Sequence, residues 1–222
     1  VNEGDWFYEA VMWMTEQGII EGYGDGTFRP HDKVSRAEFA KIMVLGLNLA
    51  IIRPPTPTFI DVNKDDWEYK YVETAKYYLT GYKNLRGDIL YKSDDDAVRE
   101  DMAVALVKAA QYTAIDAPSD TLVDYIDVDE ISLNLLHFVR IAVYKGIMVG
   151  SPADGGKMKF NPLGSLTRAE AAQLLYNVVG PSDEKITFDD DEEKVTFDEE
   201  TQVDTSLDYT TLEYTKPNVS IT

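Results

Sequence analysis

Apolar positions in the first 180 residues recur at helical spacing. Phe39/Ile42/Met43/Gly46, Met102/Ala105/Leu106/Ala109 and Ala171/Leu174/Leu175/Val178 each follow i, i+3, i+4, i+7, the pattern of a helix with one buried face. Another stripe precedes each of these. Trp6 opens Tyr8/Val11/Met12, which ends at Gly18-Ile19-Ile20, and Trp67 opens Tyr71/Val72/Ala75/Leu79, which ends at Gly81-Tyr82. The third, Leu135/Phe138/Val139/Ala142, ends at Gly146-Ile147-Met148. A closing glycine at each end predicts a left-handed helix C-terminus. Beyond residue 180 the period changes. Lys185-Ile186-Thr187-Phe188-Asp189 and Lys194-Val195-Thr196-Phe197-Asp198 alternate polar and apolar residues nine positions apart, which predicts strands. Val203, Leu207, Tyr209, Leu212, Tyr214, Val219 and Ile221 continue that pattern.

The helix pairs are copies of one unit. Ser35-Arg36-Ala37-Glu38-Phe39-Ala40 returns as Thr167-Arg168-Ala169-Glu170-Ala171-Ala172, with a weaker copy at Val98-Arg99-Glu100-Asp101-Met102-Ala103. Phe28, Tyr91 and Phe160 each stand eight positions before the arginine. Asp61-Val62 and Asp127-Val128 open the second and third copies. One helix pair of this size has too small a core to stand alone, so three are expected to pack together around a pseudo-threefold axis. The expected class is mainly α, with units at 1–52, 53–117 and 118–180 and an acidic strand-forming tail at 181–222.

Charge separates the tail further. The chain carries −19 overall, and residues 181–222 hold 13 acids and 3 lysines of that balance. Such a surface repels nucleic acid and anionic lipid. There is no cysteine, hence no disulfide or thiolate chemistry. No apolar run reaches the roughly 18 residues of a membrane span, and no secretory leader is expected in this sequence. His31 and His137 are the only histidines, too few for a zinc site or a nucleophilic dyad. Asp94-Asp95-Asp96 and Asp189-Asp190-Asp191 lack the alternating ligand spacing of a calcium loop and read as solvated charge. Acids are plentiful, but none stands in a recognisable glycosidase pair. No cofactor or metal is expected.

The arginines are the candidate chemistry. Ser35 with Glu38, and Thr167 with Glu170, read as capping boxes, a structural role. An arginine in the first helical turn opposes the helix dipole, and placing one there three times points to a use. Beside open helix amides it makes a carboxylate receptor of fixed charge and bidentate donors. The alternative is a salt bridge to an acid of the neighbouring unit. Trp6 and Trp67 can stack on a sugar face, or pin helix to helix, the commoner use of such a ring. Gly22-Tyr23-Gly24-Asp25-Gly26 reads as a turn needing positive φ, whose Gly24, Asp25 and Gly26 also let a ligand approach the backbone. It is no phosphate loop, since no Gly-Lys-Ser/Thr follows.

Phe59-x-Asp61-Val62, Trp67, Gly18-Ile19-Ile20-x-Gly22-Tyr23-x-Asp25-Gly26-Thr27-Phe28-x-Pro30 and the Ser/Thr-Arg-Ala-Glu element resemble the S-layer-homology motif over about residues 1–180. The resemblance implies a three-lobed helical domain on a bacterial surface, in the cell wall or S-layer. It implies a partner too, secondary cell-wall polysaccharide on peptidoglycan, often pyruvylated. Arg36, Arg99 and Arg168 would meet the ketal carboxylate in grooves between lobes, with no catalysis. On this reading, replacing Arg36 and Arg168 by alanine weakens wall binding and leaves helical content unchanged. Departures bear on individual grooves. The second copy has Lys83 to Ser93 in place of Asp-Gly-Thr-Phe-x-Pro, and Val98 where a capping hydroxyl belongs. The third has Leu133 near the tryptophan's place and a longer turn, Gly150 to Gly156. The tail supplies the alternative function: a lattice or filament subunit that self-associates by lending strands from residues 181–222 to a neighbour.

Overall fold

A computed structural model describes residues 1–181 and the pair 211–212. The predicted strands at 185–189 and 194–198 lie outside the described residues, as does most of the tail. The chain is mainly helical: α1 (Tyr8–Glu16), α2 (Arg36–Gly46), α3 (Tyr69–Ala75), α4 (Arg99–Ala109), α5 (Leu136–Tyr144) and α6 (Arg168–Val179). Short strands β1 (Gly81–Lys83), β2 (Ile89–Leu90), β3 (Ser151–Pro152) and β4 (Met158–Lys159) form two hairpins, β1 with β2 and β3 with β4. From the tail, β5 (Thr211–Leu212) lies parallel to β1, Gly81 opposite Thr211 and Tyr82 opposite Leu212.

Capping residues set where α2 and α6 begin. Both capping boxes are formed: the Ser35 and Thr167 hydroxyls accept from the Glu38 and Glu170 amides, and each glutamate accepts from its cap amide in return. At α4 the cap is Val98, with no side-chain bond. Ser35→Ala and Thr167→Ala should each lower stability by about 1 kcal/mol in urea unfolding; an unchanged midpoint would mean that tertiary packing alone fixes these starts.

The closing glycines divide in two. Gly18 and Gly146 follow α1 and α5 with φ of 68° and 67°, and the next amides, Ile19 and Ile147, reach back to Met14 O and Ala142 O (both 2.9 Å). That is the expected left-handed end. Gly81 corrects the expectation: α3 stops at Ala75 with Lys76 in right-handed conformation, and Gly81 instead begins β1. Its counterparts are Gly22 and Gly150. A Cβ at Gly22, Gly81 or Gly150 would lie 2.9, 2.7 and 2.0 Å from Thr27 O, Leu90 O and Lys159 O respectively. Glycine is needed there because two extended pieces cross too closely for a side chain.

The helices pack across the boundaries expected from the sequence: α2 on α3, α4 on α5, and α6 back on α1. Their inward faces share one core containing Met14, Phe39, Met43, Tyr91, Met102, Leu106, Ile141, Phe160 and Leu175. On α1 the buried face is Ala10, Val11 and Met14, while Met12, expected inside, is 49% exposed; the helix is rotated so that Phe7 and Met14 flank Val11 inside.

Between the helices three extended segments close a ring. Val34 N donates to Leu166 O (3.0 Å), Leu166 N to Ala97 O (2.8 Å), and Ala97 N to Val34 O (3.0 Å). The first amides of the following helices, which no helix can satisfy for itself, continue it. Arg36 N and Ala37 N donate to Asp95 O and Ser93 O, Arg99 N and Glu100 N to Gly164 O and Pro162 O, and Arg168 N and Ala169 N to Asp32 O and Pro30 O. Asp61 and Asp127 tie in the same loops, each carboxylate accepting two amides, of Tyr91 and Lys92 and of Phe160 and Asn161.

Candidate functional site: grooves beside the arginines

Because those helix starts sit inside the ring, each arginine side chain crosses into the next unit. Nε of Arg36, Arg99 and Arg168 donates to Tyr91 O, Phe160 O and Phe28 O (2.9, 2.7 and 3.0 Å). Each guanidinium also lies over the ring of that same residue, at 4.9, 5.2 and 4.8 Å. The aromatic eight positions before one arginine is therefore the partner of the arginine in the neighbouring unit. This answers the dipole objection: the backbone carbonyls and π faces of the adjacent unit stabilise the cation that its own helix start disfavours.

Beyond that shared staple the three arginines differ. Arg168 donates from Nη2 to Glu21 O (2.7 Å) and lies over Tyr23 (4.9 Å), and among the described residues no hydrogen bond engages its Nη1. Arg36 makes the corresponding bond to Thr80 O (2.8 Å) and lies over Tyr82 (4.7 Å). Its Nη1, however, donates to Asp101 (2.9 Å) and to the Tyr82 hydroxyl (3.0 Å), and that hydroxyl donates to Asp101 in turn. The Arg36 and Asp101 side chains are 2% and 7% exposed. Arg36 thus takes the sequence alternative, a salt bridge to an acid of the next unit, and is closed to solvent. Burial pushes the Tyr82 and Tyr91 hydroxyls well above the ordinary tyrosine range, so both stay neutral beside it. Arg99 is intermediate: Nη1 stands 3.8 Å from Glu170, and burial draws its pKa below the usual arginine value.

Two grooves follow from this difference. One, of about 190 Å³, is lined by Arg168, Tyr23, Gly22, Glu38, Lys41 and Trp67. The other, also about 190 Å³, is lined by Arg99, Glu170, Gln173, Trp6 and the Gly146–Gly150 segment. Each joins an arginine of one unit, a tryptophan of another and the glycine turn of a third. The helix-pinning reading of the tryptophans is corrected: Trp6 is 63% and Trp67 54% exposed. The corresponding place beside Arg36 holds the Asp101–Tyr82 pair.

Gly24, Asp25 and Gly26 do not line either groove. Asp25 accepts from the Thr27 hydroxyl and amide and pairs with Arg29 (2.8 Å); the Thr27 hydroxyl first, then Arg29, hold its carboxyl far below the ordinary range. Gly26, at φ 82°, lies in a separate recess beside Met12 and Pro30. Asp101, Tyr82, Tyr23 and Lys41 were not singled out from the sequence. One signal was present for Asp101: with Val98 at the cap, an acid three positions on has no capping box to complete.

Comparison with known proteins bears directly on this chain. The S-layer homology domain model matches residues 1–40 and 127–172. An S-layer protein of Bacillus licheniformis is 31% identical over 79% of the chain and 19% of its own length. An amylopullulanase of Thermoanaerobacterium thermosulfurigenes is 29% identical over 80% of the chain but 9% of its own length. A cellulosome-anchoring protein of Acetivibrio thermocellus is 36% identical over 37% of the chain and 20% of its own length. The chain thus spans a fifth or less of these relatives. The match to the enzyme covers less than a tenth of that enzyme's length. The likeness places the chain outside the cell, at the bacterial surface. The chain belongs to the S-layer homology family.

Proposed function

We propose that the chain is a non-catalytic anchoring module that binds secondary cell-wall polysaccharide, with pyruvylated sugar as its ligand class. The observation that carries this reading is the pair of grooves in which Arg168 or Arg99 stands beside a half-exposed tryptophan. Arg168, held by neutral carbonyls, keeps donors for a ketal carboxylate, and Arg99, with Glu170 no nearer than 3.8 Å, keeps room for one; an exposed indole offers the apolar face of a sugar a platform. Beside Arg36 the protein's own Asp101 occupies the carboxylate position, so the reading assigns two working grooves rather than three. It takes the units at 1–52, 53–117 and 118–180 as lobes about a pseudo-threefold axis, an arrangement supported by the closed hydrogen-bond ring and the cyclic helix packing.

Sedimentation with bacterial wall sacculi tests it. Pelleting with intact sacculi and not with polymer-stripped ones is the expected result; equal pelleting with both would remove polysaccharide as the ligand. A second reading, a lattice or filament subunit, draws on β5: β1 accepts a strand from residues 211–212, and the same edge would accept one from a second copy. Pelleting without any wall would favour it.

A further inference from the structure

We infer that a basic bay next to the Arg168 groove binds a second anionic substituent of the same wall polymer. The inference rests on the polysaccharide reading above and extends it along the glycan. The bay has a volume of about 530 Å³, and Lys41, Arg53, Lys64 and Lys70 line it around Trp67. Lys41 and Trp67 also line the Arg168 groove, so one ligand chain passes from the arginine across the indole into the bay. In a protein with 40 acids and 21 bases, a gathering of four cations runs against the overall charge, and a local field of opposite sign selects anions.

The cations are available and their carriers are fixed. Arg53 and Lys64 are exposed and have no ion-pair or hydrogen-bond partner among the described residues. Lys70 only lies over the Tyr71 ring (4.6 Å), and Lys41 has only the exposed Glu21 at 3.2 Å. Asp65 and Asp66 also border the bay; Asp66 is engaged by the amide and side chain of Asn63, which closes the turn that carries Lys64. The segment carrying Arg53 is pinned to α3 on both sides: Ile52 N donates to the Thr74 hydroxyl (2.9 Å), and the Tyr69 hydroxyl to Pro54 O (2.6 Å). Cations on anchored backbone lose less freedom on binding than cations on a loose loop. The group they suit is a carboxylate or a phosphate on a sugar beyond the one at Arg168.

The test uses the whole chain and wall sacculi of four kinds: untreated, carboxyl-reduced, stripped of phosphodiesters, and stripped of the whole polymer. Arg53→Gln with Lys64→Gln removes two exposed charges without touching the core. Its affinity for untreated sacculi should fall about tenfold at low salt, the effect of two exposed ionic contacts. At about 1 M salt, where the Debye length is roughly 3 Å, it should match the parent. Removal of phosphodiesters should abolish this difference if the bay takes a phosphate and preserve it if the bay takes a carboxylate, whereas carboxyl reduction also removes the ketal carboxylate at Arg168 and should weaken parent and variant alike. Trp6→Ala, at a ring that lines the Arg99 groove and not the bay, serves as the groove control. If it weakens binding while Arg53→Gln/Lys64→Gln keeps the parent's affinity and salt dependence, the bay proposal is overturned and the groove stands. If the parent itself binds polymer-stripped and untreated sacculi alike, the polysaccharide reading fails with it.

Discussion

Arg36→Ala should lower the free energy of unfolding by about 3–5 kcal/mol, the largest single-residue effect expected in this protein. The side chain makes bonds to Tyr91 O, Thr80 O, the Tyr82 hydroxyl and Asp101, so its removal strips donors from two carbonyls and leaves the Asp101 carboxylate buried without its cation. An uncompensated buried charge costs more than the lost pair contributes. Urea unfolding followed by circular dichroism measures it, with Arg36→Ala/Asp101→Asn as the comparison. The second change should restore part of the loss by removing the stranded charge. A single variant within 1 kcal/mol of the parent would refute the burial argument. It follows that Arg36→Ala/Arg168→Ala should lower stability as well as wall binding, because Arg36 makes the salt bridge to a neighbouring unit that the sequence reading held as the alternative.

Trp6→Ala with Trp67→Ala should weaken binding to intact sacculi by about a hundredfold, at roughly 1.5 kcal/mol for each indole face that a sugar would cover. Both rings are more than half exposed, so the fold should tolerate the change, and the urea midpoint should stay near the parent's. Leu133→Ala is the matched control. Leu133 stands near the tryptophan's place in the sequence of the third unit, is 87% exposed and lines neither groove, so its loss should leave binding unaltered. A fall for Leu133→Ala equal to that for either tryptophan would contradict the two-groove assignment. Full retention by the tryptophan pair would contradict stacking altogether.

The element order was readable because each helix carries its own signals. Period, capping box and glycine lie within a few residues of one another, and the interactions they encode are made inside one turn of chain. Where the sequence reading missed, the deciding contact was long-range. Gly81 resembles Gly18 and Gly146 in position after a stripe, yet the carbonyl of Leu90, arriving from β2, makes it a crossing glycine. Trp6 and Trp67 look like packing residues until the neighbouring units leave them half in solvent.

The sequence by itself determined a mainly helical chain of repeated units, the capping boxes at Ser35 and Thr167, and an arginine at the start of three helices. Repetition revealed these, since similar local signals produce similar local structure. Only the tertiary structure decided what each arginine meets. Their surroundings come from the next unit in the ring, where the second copy has diverged: Asp101 and Tyr82 close one position, Glu170 stands off from Arg99, and Arg168 pairs with no carboxylate among the described residues. A side chain's availability depends on the partners that folding brings to it from more than 40 residues away, and no local pattern encodes them.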